Sequence, residues 1–466
     1  MRSNRVSFAA RRSSWAVAAL LGGLTALGAI AVSSSGCSLQ ICEVAACNTD
    51  PGGGGAGQGG GGGSGGAACS PECSPGANAS AECVDGACVY TCEAGFESCD
   101  ADPSDCEVDV RTKENCGACG KGCVVECSEI DGGLACNDPV EIAAGEEHTC
   151  VRKPSGSVFC WGSNGLGQVA ASSAPAEPNP QKVRLPVGVR ATRLASGSMA
   201  NAIIDTSGSI HLWGNADVDA LPWALPSSSG ATAVAVYRDE GVFLRGSQAF
   251  QFVVQQSASD VSSLFTGGSA IARGEAHGCA IRSGNSVNCW GQNYDGQLGL
   301  SDTNLELPSP TIPISGLQAT SLAAGDGHSC AIATAKQLYC WGRASDFAQV
   351  GHGQQANIST PQPVLADVDR VKLGPASSGA LIGSELFLWG RNDSGQVSTA
   401  AAQAIDTPTK RLDVQNVVDF APGGNHTCVL TAGAEVYCFG ANNFGQLGIG
   451  NTTPTSGPVL VTIPRD

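Results

Sequence analysis

Aromatic side chains, methionine and positive charge are all scarce in this chain of 466 residues. Only 5% of the residues are aromatic and two are methionine, so the core must come mainly from Ala, Val, Ile and Leu. Lys and Arg number 25 against 42 Asp and Glu, and no basic stripe is present to neutralise a phosphate backbone. Few helical periods and 63 glycines indicate an all-β fold. The composition argues against nucleic-acid binding.

The chain also lacks the common catalytic signatures. It has no phosphate-binding loop, no Gly-x-Ser-x-Gly elbow and no His-Glu-x-x-His helix. Four acidic residues near predicted turns are interpreted as turn residues: Asp295, Asp302, Asp326 and Asp346. We therefore predict no enzymatic activity and no cofactor. The alternative is an extracellular enzyme that acts on glycans with acids from distant repeats.

A run of eleven residues with a cysteine at each end occurs four times, always within the frame Gly-x-x-His-x-Cys and before Trp-Gly or Phe-Gly. The four cysteine pairs are Cys150 and Cys160, Cys279 and Cys289, Cys330 and Cys340, and Cys428 and Cys438. The repeat histidines are His148, His277, His328 and His426. The repeat tryptophans are Trp161, Trp290 and Trp341, with Trp213 and Trp389 in degenerate copies. A further weak copy near Val234 places Arg245 at the tryptophan position, which gives seven units in total.

The repeat cysteines are predicted to form disulfides within hairpins, because opposed residues of an antiparallel pair lie within disulfide reach. In the copy that ends at Trp213 the two positions are Ala202 and Leu212, so both cysteines are absent together. Free buried cysteines are the alternative. Each repeat histidine is expected to form a hydrogen bond within its own blade, and a ring of imidazoles that binds metal is the competing interpretation.

The N-terminus predicts export to a bacterial envelope. Residues 1–36 combine a basic start with an apolar segment and are predicted to be a signal peptide of the lipoprotein type. Ser34-Ser35-Gly36-Cys37 resembles a lipobox in which Cys37 is lipidated. An uncleaved membrane anchor is the alternative. Residues 37–50 are then a tether, and the glycine-rich residues 51–68 are a flexible linker. We expect a membrane-anchored lipoprotein at the outer membrane or cell surface.

Residues 69–138 form a cysteine-rich module in which cross-links replace a hydrophobic core. The spacing of Cys116 and Cys119, and of Cys123 and Cys127, also fits zinc ligands, but disulfides are favoured in an exported chain. Three nearby carboxylates are candidates for Ca²⁺ binding, although a solvated acidic turn is favoured: Asp100, Asp102 and Asp105.

The frame Gly-x-x-His-[Ser/Thr/Gly]-Cys, followed by a hairpin and Trp-Gly-x-Asn-x-x-Gly-Gln-Leu-Gly, resembles the RCC1 (regulator of chromosome condensation) repeat family. The best copies are residues 274–299 and 423–448. The resemblance implies a seven-bladed β-propeller over residues 139–466 whose repeat histidines, glycines and tryptophans are architectural. It also implies that the ring closes by pairing the two ends of the domain, with residues 459–463 as the last strand of the blade begun near Val140.

Function is expected on the loops of this scaffold. The founding eukaryotic member of the family is a nucleotide-exchange factor, and an exported acidic protein does not meet that partner. We expect a monomer that binds an unknown protein or glycan, with a purely structural or adhesive role as a further alternative. The longest predicted loops are residues 163–186 and 391–411, and Trp223 is a candidate binding anchor or a buried contact between blades.

Overall fold

The computed structural model describes residues 132–214, 221–238, 240–253 and 262–466. It also describes shorter stretches before them: residues 74–75, 77–84, 87–94, 96–97, 108–109, 111–112, 115–116, 123 and 126–130. These residues fall into two compact units, one with residues 74 and 81–91 and the other with residues 75–80 and 92–466. The predicted signal segment, Cys37, the tether and the linker lie outside the described residues, as do Asp100, Asp102 and Asp105.

Three short hairpins precede the propeller strands. They are β1 (Ala79–Val84) with β2 (Ala87–Cys92), β3 (Phe96–Glu97) with β4 (Val108–Asp109), and β5 (Cys127–Ile130) with β6 (Gly133–Cys136). Disulfides Cys116–Cys127 and Cys123–Cys136 hold the last hairpin. The sulfurs of Cys116, Cys123 and Cys136 lie within 4.8 Å of one another. They are oxidised, and a disulfide sulfur offers no thiolate to zinc.

From Glu141 onward the described residues form six antiparallel sheets of a β-propeller, in agreement with the all-β prediction. Sheet 1 contains β7 (Glu141–Ala144), β8 (His148–Arg152), β9 (Val158–Ser163) and β10 (Ala176–Lys182). Sheet 2 contains β11 (Ala191–Ser196), β12 (Ala200–Asp205), β13 (Ile210–Gly214) and β14 (Trp223–Ala224). Sheet 3 contains β15 (Ala231–Tyr237), β16 (Glu240–Arg245), β17 (Gln248–Val253) and β18 (Ser262–Thr266).

Sheet 4 has eight strands because the first half of the long β23 pairs with β21 and its second half pairs with β24. Its strands are β19 (Gly268–Arg273), β20 (His277–Arg282), β21 (Ser286–Gln292), β22 (Glu306–Leu307), β23 (Pro313–Ala324), β24 (His328–Ala333), β25 (Leu338–Gly342) and β26 (Ile358–Leu365). A 3₁₀ turn at Ser283–Asn285 joins β20 to β21.

The last two sheets have four strands each. Sheet 5 contains β27 (Arg370–Leu373), β28 (Ser377–Ile382), β29 (Glu385–Arg391) and β30 (Ala404–Lys410). Sheet 6 contains β31 (Val417–Pro422), β32 (His426–Thr431), β33 (Val436–Gly440) and β34 (Thr455–Val461). None of the described helical turns has the length and hydropathy of a membrane-spanning segment.

The second and third strands of the sheets are buried over most of their length because neighbouring sheets cover both of their faces. Every residue of β9 and β13 is buried. The core consists of separate clusters that lie between adjacent sheets. One cluster, for example, packs Cys150 and Val158 of sheet 1 against Ile203 and Trp213 of sheet 2. Each sheet therefore depends on its neighbours for burial.

The ring closes without exchange of a strand between its ends. The family resemblance predicted that residues 459–463 would join the blade begun near Val140, and this was wrong, because β34 pairs with β33 and completes sheet 6. Sheets 1 and 6 instead meet face to face around Ile142, Trp161 and Leu430. The backbone N–H of Gly424 also donates to the carbonyl of Glu146 at 2.9 Å.

Candidate binding site

The four predicted cysteine pairs are disulfide-bonded across opposed positions of a hairpin: Cys150–Cys160, Cys279–Cys289, Cys330–Cys340 and Cys428–Cys438. In each pair the Cα atoms lie 4.0–4.1 Å apart. The register opposes Ala202 to Leu212 in sheet 2 and Gly379 to Leu388 in sheet 5, at the same place in the hairpin. The cysteine-free hairpins therefore keep the same geometry with an apolar contact.

The repeat histidines connect neighbouring repeats, so the prediction that each bonds within its own blade was wrong. Each Nε2 atom reaches the polar residue that follows the histidine position of the next repeat. The pairs are His148 with Asn201 (2.8 Å), His277 with Ser329 (2.8 Å), His328 with Ser378 (2.9 Å) and His426 with Thr149 (2.7 Å). The last bond joins sheet 6 to sheet 1 and so contributes to closure of the ring.

The same hydrogen bonds fix the tautomer of these histidines. The Ser329 hydroxyl donates its proton to the carbonyl of Gln297 at 3.1 Å, so it accepts a hydrogen bond from Nε2–H of His277. Burial lowers the pKa of His148 to about 4 and that of His277, His328 and His426 to about 3. The rings are neutral, and each Nε2 is occupied by its bond to the next repeat. These contacts give the histidines an architectural role.

The repeat tryptophans complete the same network. Four of the five indole N–H groups donate to the carbonyl of the glutamine in the preceding repeat's Gly-Gln loop, in which Ala348 replaces the glycine before Gln349. The bonds run from Trp161 to Gln446 (2.9 Å), Trp213 to Gln168 (2.9 Å), Trp341 to Gln297 (2.9 Å) and Trp389 to Gln349 (3.0 Å). The glutamine loop of one repeat, and the polar residue and tryptophan of the next, thus form one unit of contact between repeats.

This network is interrupted on both sides of sheet 3. The segments that follow Gly214 and Val253 contain no Gly-Gln loop. At the matching positions of the next repeats, glycine replaces the polar residue, as Gly241 and Gly278. An added Cβ would lie 2.1 Å from Phe252 at Gly241 and 2.3 Å from Trp290 at Gly278, so each aromatic ring lies over its glycine. Among the described residues, Trp290 has no glutamine carbonyl as partner, and its ring packs against Phe265 instead.

The position of Phe252 corrects the prediction for the weak repeat. Phe252 opposes Gly241 in the register that Trp161 has with Thr149. Arg245 lies instead at the end of β16, beside a tight turn to β17. The aromatic landmark of this repeat is therefore Phe252, and Arg245, which was assigned to that position, lies over the ring of Phe250.

The interruption coincides with a groove between sheet 3 and the start of sheet 4. A cavity of about 280 Å³ lies between Gly241, Phe252, Trp290 and Leu307. It adjoins a second cavity of about 320 Å³ that includes Arg238, Glu275 and Gln292, and the two share Glu240, Arg273, Ala276 and Glu306. We call these two cavities the junction groove. Its volume is in the range of roughly 300–1,000 Å³ that is typical of ligand sites.

The junction groove continues to the propeller axis. There a cavity of about 60 Å³ is lined by the turns after the first strands, and it shares Tyr237 and Arg273 with the groove. We call this cavity the axial mouth. Tyr237 donates a hydrogen bond to Asp326 at 2.7 Å, and Ser198 donates to Glu146 at 2.5 Å. Burial raises the pKa of Asp326 to about 6, although the bond from Tyr237 opposes that shift.

Negative charge exceeds positive charge along this path. The groove and mouth contain five carboxylates and two guanidinium groups, a balance of −3: Glu146, Glu240, Glu275, Glu306 and Asp326 against Arg238 and Arg273. Arg273 pairs with Glu240, and Arg238 lies 3.3 Å from Glu275. Glu306 is exposed, and no cation of the described residues lies within ion-pair distance of it.

The residues predicted to bind lie elsewhere. Trp223 is half-buried on β14 and packs against the apolar cluster between sheets 2 and 3. The predicted loops 163–186 and 391–411 each contain a fourth strand, β10 and β30. Asp326, which was interpreted as a turn residue, lies in the axial mouth. The joint loss of the Gly-Gln loop and of the next polar residue was visible in the sequence and would have pointed to the groove.

The buried histidine and tryptophan hydrogen bonds thus join repeats of one recurring sequence frame. The chain carries regulator of chromosome condensation (RCC1) repeats. One description of this repeat matches residues 140–168, 269–297, 319–349 and 417–446. A second matches residues 155–204, 285–332 and 434–466. Both leave out sheets 3 and 5 and the strands β13 and β14 of sheet 2, where the motif is degenerate.

Two curated relatives show the extent of the similarity. The chain is 31% identical to the ultraviolet-B receptor UVR8 of Arabidopsis thaliana over 202 residues, which are 41% of this chain and 46% of the receptor. It is 30% identical over 205 residues to the probable E3 ubiquitin-protein ligase HERC6 of Homo sapiens, covering 41% of this chain and 20% of the ligase. The chain thus spans less than half the length of these relatives.

Solved structures show similarity at low sequence identity. Yeast RCC1 (Prp20), in its complex with Kap60, is 19% identical, with a TM-score of 0.44 over 70% of this chain and 75% of that one. Human WBSCR16 is 19% identical, with a TM-score of 0.45 over 70% and 82% of the two chains.

Proposed function

We propose that this chain is an exported lipoprotein, anchored through Cys37, whose seven-bladed propeller binds another macromolecule without catalysis. The observation that carries the proposal is the junction groove, which coincides with the interruption of the repeat network. The count of seven blades is supported by the first strands, which contact one another in the order β7, β11, β15, β19, β23, β27, β31 and back to β7. Sheet 4 then contributes two blades.

Binding to a partner is supported by the way the groove is built. At the other junctions, the polar atoms buried between repeats are hydrogen-bonded to one another. The Ser378 hydroxyl, for example, accepts a hydrogen bond from His328 and donates one to the Gln349 carbonyl. At the start of sheet 4, glycine replaces the polar residue and the preceding repeat supplies no Gly-Gln loop. The propeller therefore keeps its fold while it leaves a cavity open between two sheets. Such a place on a rigid scaffold is suited to recognition.

An enzyme that acts on glycans is the second candidate, and Asp326 is the observation that favours it. A carboxyl group with a pKa raised to about 6, close to Glu146, resembles the general acid of a glycoside hydrolase. The cavity beside Asp326 is only about 60 Å³, however, well below the volume of ordinary ligand sites. Release of reducing sugar from cell-wall glycans by wild-type protein, abolished in Asp326→Asn, would replace the binding proposal by this one.

The test of binding uses a matched pair of substitutions on intact cells. Ala276→Phe fills the junction groove, and Ala376→Phe places the same side chain at the corresponding turn of sheet 5, outside the groove. Cross-linking followed by affinity capture should recover the same partner with wild type and Ala376→Phe, and much less of it with Ala276→Phe. Equal recovery by all three proteins would exclude the groove. Recovery of no partner by wild type would refute the binding function.

Anchoring is tested separately with an alkyne-labelled fatty acid fed to the producing cells. Label should enter the wild-type protein and not Cys37→Ser. Entry of label into both proteins, or into neither, would contradict lipidation at Cys37.

A further inference from the structure

The aromatic side chains of the junction groove present little ring surface. Trp290 is 5% exposed and Phe252 is 2% exposed, since each ring lies over a glycine and is covered by its neighbours. Sugars are commonly held by stacking on open aromatic faces, and the groove offers no such face among the described residues. Recognition there depends on charged groups, backbone atoms and shape.

The charged groups of the junction groove and the axial mouth favour a positively charged ligand. Two of the five carboxylates are matched by Arg238 and Arg273, which leaves the balance of −3. Of the remaining carboxylates, Glu306 lines both cavities of the junction groove, and Asp326 and Glu146 line the axial mouth. A long basic side chain with an apolar stem fits a wall of Ala276 and Leu307 that ends in carboxylates. A ligand with negative charge would meet repulsion along most of its length.

The three cavities lie next to one another, because each shares lining residues with the next, and they do not form a single closed chamber. The two cavities of the junction groove share four lining residues. The cavity that includes Arg238 also shares Tyr237 and Arg273 with the axial mouth. A series of adjoining cavities suits an extended segment of polypeptide, which fills length rather than width.

We propose that the junction groove binds an extended segment of a partner protein whose lysine or arginine side chains pair with Glu306 and Asp326. This rests on the proposed binding function and names the chemistry of its partner. The arginines of the site keep Glu240 and Glu275 in fixed positions, and Glu306 and Asp326 provide the charge that the incoming cation neutralises.

Hexalysine is a direct probe of this inference. The full-length protein is mixed with the peptide at low salt and treated with a carbodiimide, which joins an amine to a carboxylate only where the two are in contact. Peptide mapping then locates the coupled residues among all 42 acidic positions. Coupling should concentrate at Glu306, Glu275, Asp326 and Glu146. Coupling spread evenly over the acidic surface would overturn the inference. Fully acetylated hexalysine is the negative control.

Binding affinity provides a second measurement. The double variant Glu306→Gln/Asp326→Asn should bind fluorescent hexalysine about 5- to 20-fold more weakly than wild type, since each partly screened ion pair contributes up to about a factor of five. Asp326→Asn keeps an oxygen for the Tyr237 hydroxyl, so the fold is preserved. The control Asp302→Asn/Asp406→Asn makes the same change of charge outside the groove and should weaken binding less than about two-fold.

The two proposals fail in different ways. If Ala276→Phe abolishes capture of the cellular partner while hexalysine neither couples to the groove nor responds to the double variant, the groove binds a partner of other chemistry and this inference is wrong. If capture does not respond to Ala276→Phe, the proposed function itself is wrong.

Discussion

At the scale of single residues, one position decides how each repeat meets the one before it. Where the residue after the histidine position is Ser, Thr or Asn, its side chain contacts the preceding repeat's glutamine carbonyl, as Thr427 does with Gln396 at 2.8 Å. Where it is glycine, the aromatic ring of the same repeat lies over it. The choice between a hydrogen-bonded junction and an open one is thus made by a single side chain.

Gly278→Ala tests this rule. The added Cβ would lie 2.3 Å from the Trp290 ring, so the ring must move, and we expect a loss of about 1–3 kcal/mol in the free energy of unfolding. Urea unfolding followed by tryptophan fluorescence measures the loss and the altered environment of Trp290. Gly433→Ala is the control, because its Cβ would meet nothing closer than 3.7 Å. Equal stability of the two variants would contradict the packing described for Trp290.

The sequence identified the repeat histidines and tryptophans, but it did not identify their partners. Spacing within a hairpin predicts which residues face each other across a turn, and this sufficed for Cys279 and Cys289. The partner of His277 is Ser329, 52 residues further along, and that contact depends on how two repeats pack. A pattern local to one repeat therefore assigns architectural residues correctly while it leaves contacts between repeats open.

At the scale of elements, the hairpin of the second and third strands is the constant unit. Four copies are closed by a disulfide, and two others replace it by the apolar pairs Ala202–Leu212 and Gly379–Leu388. The weak repeat differs from its prediction at this scale, because its turn comes directly after Arg245 and its third strand bears Phe252 instead of tryptophan. The prediction for the last strand was wrong because β34 forms its backbone hydrogen bonds with β33 of sheet 6 and does not pair with sheet 1.

Removal of one disulfide should show what the cross-link contributes. Cys330→Ala/Cys340→Ala is expected to lose about 2–4 kcal/mol of unfolding free energy, because the unfolded chain regains the freedom of the closed loop. Cys330→Ala/Cys340→Leu copies the pair found in sheet 2 and should recover part of that loss through packing. Urea titration without reductant compares the three proteins. A double alanine variant as stable as wild type would show that the bond is not formed in native material.

At the scale of the whole molecule, four buried neutral histidines make the ring sensitive to acid. Their pKa values lie at about 3 to 4 in the folded protein, against about 6.5 for an unfolded chain. Well above pH 6.5 these histidines are neutral in both the folded and the unfolded state, so they do not make the free energy of unfolding depend on pH. Below pH 6.5 the unfolded state takes up protons that the folded state refuses, so stability falls as the pH falls. Asp326 opposes the trend, because its raised pKa lets the folded protein bind a proton first.

We therefore expect the free energy of unfolding to fall steeply from pH 6.5 to pH 5. Well below pH 6.5 each histidine contributes about 1.4 kcal/mol per pH unit. Because an unfolded histidine is only half protonated at pH 6.5, the loss down to pH 5 is about 1.7 kcal/mol for each and about 7 kcal/mol for all four. Proton uptake by folded Asp326 offsets about 1 kcal/mol of this loss. His277→Gln is the informative variant, because the Gln side-chain amide can still donate to Ser329 but does not titrate. Its slope of stability against pH should be about one quarter to one third smaller than that of wild type. Denaturant titrations at half-unit steps measure both slopes, and a wild-type slope near zero would show that the histidines are accessible to protons in the folded ring.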